Sequence, residues 1–170
     1  AVSEASGAVA YYTVTINSWY LVTEASEFGN NGAIRKNLNG RFKLGNQISF
    51  TGNIEPIGSY TNNPFTGVFD GGDKTLSNFT IKASSDYAGL FAYNKGVIKN
   101  VVVDSASFII AGVMDNLGII AGYNEGRIEN CEVNNSSVKE TDSINYPSCY
   151  VGGIAGKNKK INDDFPGLIT

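Results

Sequence analysis

Asp70 and Asp73, in Phe69-Asp-Gly-Gly-Asp-Lys74, form a carboxylate pair close in sequence, the residue type that glycosidic hydrolysis requires. That reaction needs two carboxyl groups roughly 5–10 Å apart across a groove. The same Asp-Gly-Gly-Asp string is also turn chemistry, because Asp and Gly both accept tight backbone corners, and the turn is the simpler reading. A calcium role would take about six to eight oxygen ligands, and this stretch offers two acids. Glu125, Glu129 and Glu132, with Arg127 among them, hold the acids and the base that a metal-dependent lyase would want. A solvated, charge-balanced face is the preferred explanation for them. Cys131 and Cys149 are the chain's two thiols, and there is no His. The absence of His removes His–Asp triads, His proton shuttles and His-based metal sites, and leaves neither thiol an obvious activating base. No catalytic, cofactor-binding or metal-ligating residue is assigned, and the sequence predicts a protein that is not an enzyme.

The scaffold that positions these residues is legible in composition and repetition. At 170 residues the chain has about one domain's length. Its 20 glycines and low charged fraction of 17% point to many short strands joined by tight turns. With 13 basic against 16 acidic residues the net charge is −3, and no basic stripe marks a nucleic-acid partner. No apolar run reaches the ~18 residues a membrane span needs. The chain begins Ala1-Val-Ser-Glu-Ala5 and holds one methionine, Met114. That start resembles a mature end after signal cleavage, or a cut from a longer protein, and an extracellular home is expected.

Residues 87–103 align without gaps on 117–133, with identities at Tyr93/Tyr123, Asn94/Asn124, Gly96/Gly126, Ile98/Ile128, Asn100/Asn130 and Val103/Val133. A third copy begins at Val151-Gly-Gly-Ile-Ala-Gly-Lys-Asn158. Leu76-Ser-Asn-Phe-Thr-Ile81 reads as an earlier copy of Ile98–Val103. The steps from Leu76 to Ile98 and from Ile98 to Ile128 are unequal, which suits a solenoid with loops of variable length. Within a unit the period is two: Ile98, Val101 and Val103 face one side, Lys99 and Val102 the other, with Asn100 at a bend. Gly96 and Gly126 read as turn positions of positive φ. Short strand, turn, short strand and bend, repeated, make one coil of a parallel β-helix, with coils stacked ~4.8 Å apart. Stacking in register would set Lys95 beside Glu125 and Lys99 beside Glu129, and would build amide ladders from Asn94/Asn124 and Asn100/Asn130. Cys131 replaces Val101 at an inward position, as a buried thiol or as a partner for Cys149.

Residues 1–41 predict an N-terminal strand (9–16, with Ala10, Tyr12, Val14 and Ile16 on one face) and a capping helix. The helix is expected over 19–28, capped by Asn17 or Ser18, with Trp19, Val22, Ala25 and Phe28 on one side and Gly29-Asn-Asn-Gly32 as its stop. It would plug the open end of the coil stack. Residues 42–170 are expected to form the β-helix, within one structural domain overall. Strands are expected over 42–50 and 54–58, a long polar loop over 134–149, and an insertion with its own apolar run over Asp104–Asn116.

Ile48-Ser-Phe-Thr-Gly52, Pro56-Ile-Gly-Ser59, Phe65-Thr-Gly-Val-Phe-Asp-Gly71 and Leu76-Ser-Asn78 occur in order, followed by Ala88-Gly-Leu-Phe91, Asn94-x-Gly96-x-Ile98-x-Asn100 and Val151-Gly-Gly-Ile-Ala-Gly156. Over roughly residues 42–158 this resembles the GLUG-repeat family of bacterial surface proteins, found in adhesin-like proteins and in N-terminal regions of IgA1-specific metallopeptidases. The resemblance implies a right-handed parallel β-helix, extracellular display and a turn at Phe69-Asp-Gly, but no reaction. The third copy departs from the pattern, since Asn158-Lys-Lys-Ile-Asn162 lacks the Gly and is two residues short.

The expected function is a non-enzymatic structural or adhesive module, extracellular or on a bacterial cell surface, binding a glycan or an extracellular protein through its lateral face and loops. Tyr60, Tyr146 and Tyr150 are either sugar-stacking rings or rim packing. One alternative is a subunit that self-assembles through its coil ends, donating segment 8–16. A second is an accessory part of a carbohydrate-active enzyme or surface peptidase. The sequons at Asn78, Asn134 and Asn135 are read as coincidence.

Overall fold

A β-helix turns a corner wherever the backbone accepts the left-handed region, and side chains that tolerate it are few. In the computed structural model, which describes residues 18–60, 62–83, 86–110, 116–140, 149–159 and 168–170, two columns of such residues divide the coils. Asp73, Asn100 and Asn130 make one column, with φ of 57°, 53° and 49°; Asn78, Ser105 and Asn135 make the other, with φ of 60°, 55° and 46°. The chain is a parallel β-solenoid of about three turns.

Coil by coil, β1 (Tyr20–Val22) is followed by β2 (Arg41–Leu44), β3 (Ile48–Ser49) and β4 (Asn53–Ile54). Next come β5 (Val68–Ser77), β6 (Thr80–Ala83), β7 (Tyr87–Ala88) and β8 (Phe91–Asn94). The following coil holds β9 (Val97–Asp104), β10 (Ser107–Ile110), β11 (Asn116–Gly118) and β12 (Ala121–Asn124). The last described coil holds β13 (Arg127–Glu129), β14 (Glu132–Asn134), β15 (Ser137–Glu140), β16 (Tyr150–Gly152) and β17 (Ala155–Asn158), with β18 (Leu168–Ile169) beyond it. Four parallel sheets result: β1-β2-β5-β9-β13-β18 with β3 and β14 alongside, β4-β6-β10-β15, β7-β11-β16 and β8-β12-β17. Links 84–86, 111–115 and 141–149 all join the second of these sheets to the third.

The register corrects one alignment. Leu76 pairs with Val103, and Ile98 pairs with Phe69, so Leu76–Ile81 is not the earlier copy of Ile98–Val103. Both segments carry an apolar residue two places before a left-handed Asn, but Asn78 and Asn100 occupy different corners. Phe69, Ile98 and Ile128 are the successive rungs of one column. These coils are therefore nearly equal in length, and the shorter step from Leu76 to Ile98 runs from one corner to another. The Asp70-Gly-Gly-Asp73 string is a bulge within β5, where the register shifts between Asp70 and Lys74.

Inside the coils, aromatic rings pack against one another, mostly edge to face. Phe28 meets Phe50 and Phe69 at 5.2 and 6.0 Å, Phe50 meets Phe79 at 5.4 Å, and Phe91 lies 4.8 Å from Phe65 and 5.5 Å from Phe69. Each fully buried ring contributes about 1.5–3 kcal/mol.

The end cap differs from the expected helix over 19–28. Tyr20–Val22 is a strand paired with Arg41–Leu44, Ala25–Phe28 is a 3₁₀ turn, and the α-helix is the single turn Ala33–Lys36, starting where Gly29–Gly32 was expected to stop one. Aromatic and β-branched residues in Tyr20-Leu-Val-Thr23 favour pairing on an available sheet edge over helix. Val22, Phe28 and Ile34 of this segment are nonetheless all fully buried. The predicted strand 9–16 lies outside the described residues. Part of the predicted loop 134–149 is strand β15, paired with β10, and the apolar run of the 104–116 insertion is β10 itself. Residues 111–115 and 141–148 lie outside the described residues.

Arg35 fastens the cap, a role the sequence did not signal. Its Nε donates to Phe28 O (3.0 Å), one terminal nitrogen to Pro56 O (2.7 Å) and the other to Glu55 O. Arg35→Ala is expected to lower stability by about 2 kcal/mol, and Arg35→Lys to recover little, because one ammonium cannot reach three carbonyls in that fork. Urea unfolding of the two variants checks this; a neutral Arg35→Ala removes the clamp from the account.

Candidate functional site on the lateral face

Asp70 is held by the corner column. Its Oδ1 accepts from Asn100 Nδ2 and from Gly72 N–H, both at 3.0 Å, and Lys99 Nζ lies 3.5 Å from Oδ2. Asn130 Nδ2 in turn donates to Asn100 Oδ1 at 3.4 Å. Burial pushes the Asp70 carboxyl upward, but these hydrogen bonds and the charges of Lys99 and Lys43 outweigh it and hold it below its ordinary value. Asp73 occupies the left-handed position of the bulge.

The three glutamates do not act as one cluster. Glu132 accepts from Asn134 at 3.0 Å, and Glu129 pairs with Arg127. Glu125 accepts from the Tyr93 hydroxyl and pairs with Lys95 at 3.6 Å and Lys159 at 3.2 Å. Among the described residues no three His, Cys, Asp or Glu groups converge as a metal site would require. Lys95–Glu125 is the ion pair the repeat predicts. Lys99 and Glu129 are register partners as expected, yet their ion pairs run to Asp70 and Arg127 instead. Cys131 is a thiol that donates to Glu129 O at 3.2 Å, and burial raises its pKa.

Around Glu125 the coils assemble a face that the sequence only partly marked. Tyr93, Tyr123 and Lys157 share one register column, next to the column of Asn94, Asn124 and Asn158, whose first two members are buried. Tyr60 lies against it, stacked on Tyr87 at 4.4 Å and 16°, and 5.1 and 5.6 Å from Tyr93 and Tyr123. Lys95 Nζ sits 5.1 Å over the Tyr93 ring and Lys157 Nζ 5.5 Å over Tyr123. Of the three tyrosines singled out in the sequence, Tyr60 belongs to this cluster and remains 44% exposed, Tyr150 stands 61% exposed on β16, and Tyr146 lies outside the described residues. Tyr87, Tyr93 and Tyr123 were missed, although the Tyr93/Tyr123 identity was the signal for them.

Burial and then the Glu125 hydrogen bond push the Tyr93 hydroxyl well up, so it stays a donor. Burial also works to raise Glu125, but the bonds from Tyr93 and Lys159 and the charges of Lys159 and Lys95 hold it below its ordinary 4.5. As pH falls the unfolded chain therefore takes up this proton first. Glu125's contribution to stability is complete above about 4.5 and is lost as pH drops through the lower folded value. Glu125→Gln is expected to make the acid limb of a stability–pH profile shallower than in wild type. An unchanged limb in urea titrations across that range would sink the assignment.

Over 80 residues the chain is 39% identical to Halomucin of Haloquadratum walsbyi, a stretch that covers 45% of this chain and 1% of that protein. The chain thus spans about 1% of the length of the curated relative it matches. No protein-family profile and no solved structure matches it. No described helix is long and apolar enough to cross a membrane.

Proposed function

We propose that this chain is a non-catalytic structural module of an extracellular or cell-surface protein, a GLUG-like β-solenoid that presents its lateral face to a ligand. The observation that carries this reading is where its polar side chains go. Asp70, Asn94 and Asn124, three of the four buried polar residues among those described, and the half-buried Glu125 bond chiefly to groups on neighbouring coils. Their chemistry is used to hold the stack in register. The similarity to Halomucin, a mucin by its name, supports an extracellular setting. Antibody labelling of intact source cells tests it: labelling without permeabilisation is expected, and labelling only after lysis overturns the setting. Product release from a panel of polysaccharides would overturn the non-catalytic part.

A second reading, assembly through the coil ends, is favoured by three exposed apolar residues on terminal strands. Leu21 of β1 is 57% exposed, and Tyr150 and Val151 of β16 are 61% and 55% exposed. A sedimentation-velocity concentration series decides it. Growth into dimers and rods, abolished by Val151→Lys, supports assembly, and a strict monomer removes it. The segment 8–16 expected to be donated lies outside the described residues.

A further inference from the structure

We propose that the face built by Tyr60, Tyr93, Tyr123, Lys95, Lys157 and Lys159 binds a linear anionic polysaccharide, an inference that rests on the extracellular reading above. Sugar rings are recognised by aromatic rings offered to their C–H faces, and such a ring is most effective when it is already fixed in place. Tyr60 meets both conditions, because Tyr87, Tyr93 and Tyr123 hold it from three directions while it stays 44% exposed.

Charge selects the class of glycan. The chain as a whole carries −3, yet on this face two lysines share one carboxylate and a third lies over the Tyr123 ring. Glu125 is shared among Lys95, Lys159 and the Tyr93 hydroxyl. Each ammonium has three donors, so one shared carboxylate leaves donors over, and the Lys95 and Lys159 side chains are 44% and 55% exposed. Lys157 and Lys95 lie over tyrosine rings, where they stand beside the stacking surface. A pyranose on Tyr60 would bring its acidic substituents to these ammonium groups.

Spacing concentrates the charge. Asn94, Asn124 and Asn158 are consecutive rungs, and Lys95 and Lys159 each follow a rung, so their backbones are two coils apart, roughly 10 Å at strand spacing, while their ammonium groups converge on the Glu125 carboxylate between them at 3.6 and 3.2 Å. The glycan would lie across Tyr60 and place one acidic group where Lys95 and Lys159 converge.

Affinity electrophoresis of the full chain in gels containing hyaluronate, chondroitin sulfate or alginate tests this, with dextran as the neutral control and polyglutamate as the control for charge alone. Retardation by at least one acidic glycan is expected, with neither control retarding. Tyr60→Ala and, separately, Lys157→Glu at an exposed position are expected to weaken it by about tenfold or more, with urea midpoints showing that both variants fold. No retardation by any acidic glycan, equal retardation by polyglutamate or dextran, or an unchanged affinity in both variants would overturn the proposal. Intact-cell labelling is read independently, so a surface-exposed chain that binds none of these glycans loses the ligand and keeps the setting.

Discussion

Gly96→Ala is expected to lose at least about 3 kcal/mol and to fail to reach the native stack, whereas Gly52→Ala is tolerated. The difference lies in what a methyl group meets. At Gly96 a Cβ would lie 2.1 Å from Gly67 O, 2.7 Å from Thr66 C and 2.9 Å from Gly67 N. These are backbone atoms of the coil below, which cannot rotate aside as a side chain would. The column repeats upward, since a Cβ at Gly126 would lie 2.1 Å from Gly96 O, and downward, with one at Gly67 as close to Gly40 O. A Cβ at Gly52 would meet nothing within 4 Å. Circular dichroism and urea unfolding of Gly96→Ala, Gly126→Ala and Gly52→Ala check the contrast, and a cooperative, wild-type-like Gly96→Ala would refute it. Gly96 and Gly126 were expected to serve positive φ, but among the described residues the left-handed glycines are Gly58 and Gly72. Close approach of stacked backbones, not turn geometry, is what excludes a side chain at 96 and 126.

Asn124→Leu is expected to cost about 3 kcal/mol, while Asn158→Ala at the outer rung costs under about 1 kcal/mol. Asn124 is fully buried and is the middle of three amides. It accepts from Asn94 Nδ2 at 2.7 Å, and its own Nδ2 reaches Asn158 Oδ1 at 2.8 Å and Gly126 O at 3.2 Å. Leucine is close to asparagine in shape but breaks all three bonds inside the stack. Amide exchange together with urea unfolding locates the loss. Equal costs at 124 and 158 would mean that the ladder does not depend on burial.

The repeat made the coil, the amide ladders and the Lys95–Glu125 pair legible because each is a relation between two copies that still resemble one another. Asp70 as the acceptor for the Asn100 amide was hidden, because the bulge at 71–73 breaks the alignment of its coil with the next. The same bulge let Asn78 pass for Asn100, two corners with one local spelling. Arg35 was invisible for another reason: it bonds to carbonyl oxygens, which every residue carries, so no partner type marks it. The tyrosine face fell between these cases. Tyr93 and Tyr123 were conspicuous as a repeated pair, but Tyr60 and Tyr87 reach them only after a loop and a corner that the strand pattern does not place.

The three links at one corner separate length from fold. They lengthen from 84–86 through 111–115 to 141–149. On one side of that corner Phe108 of β10 is opposite Val138 of β15; on the other, Tyr123 of β12 is opposite Lys157 of β17. The second pair is four positions further apart in sequence than the first, and the longest link exceeds its predecessor by the same four. The added residues therefore all fall between β15 and β16, and the ladders on either side stay parallel and in phase. The stack thus behaves as a ruler whose pitch is set by its ladders and not by the length of sequence between them.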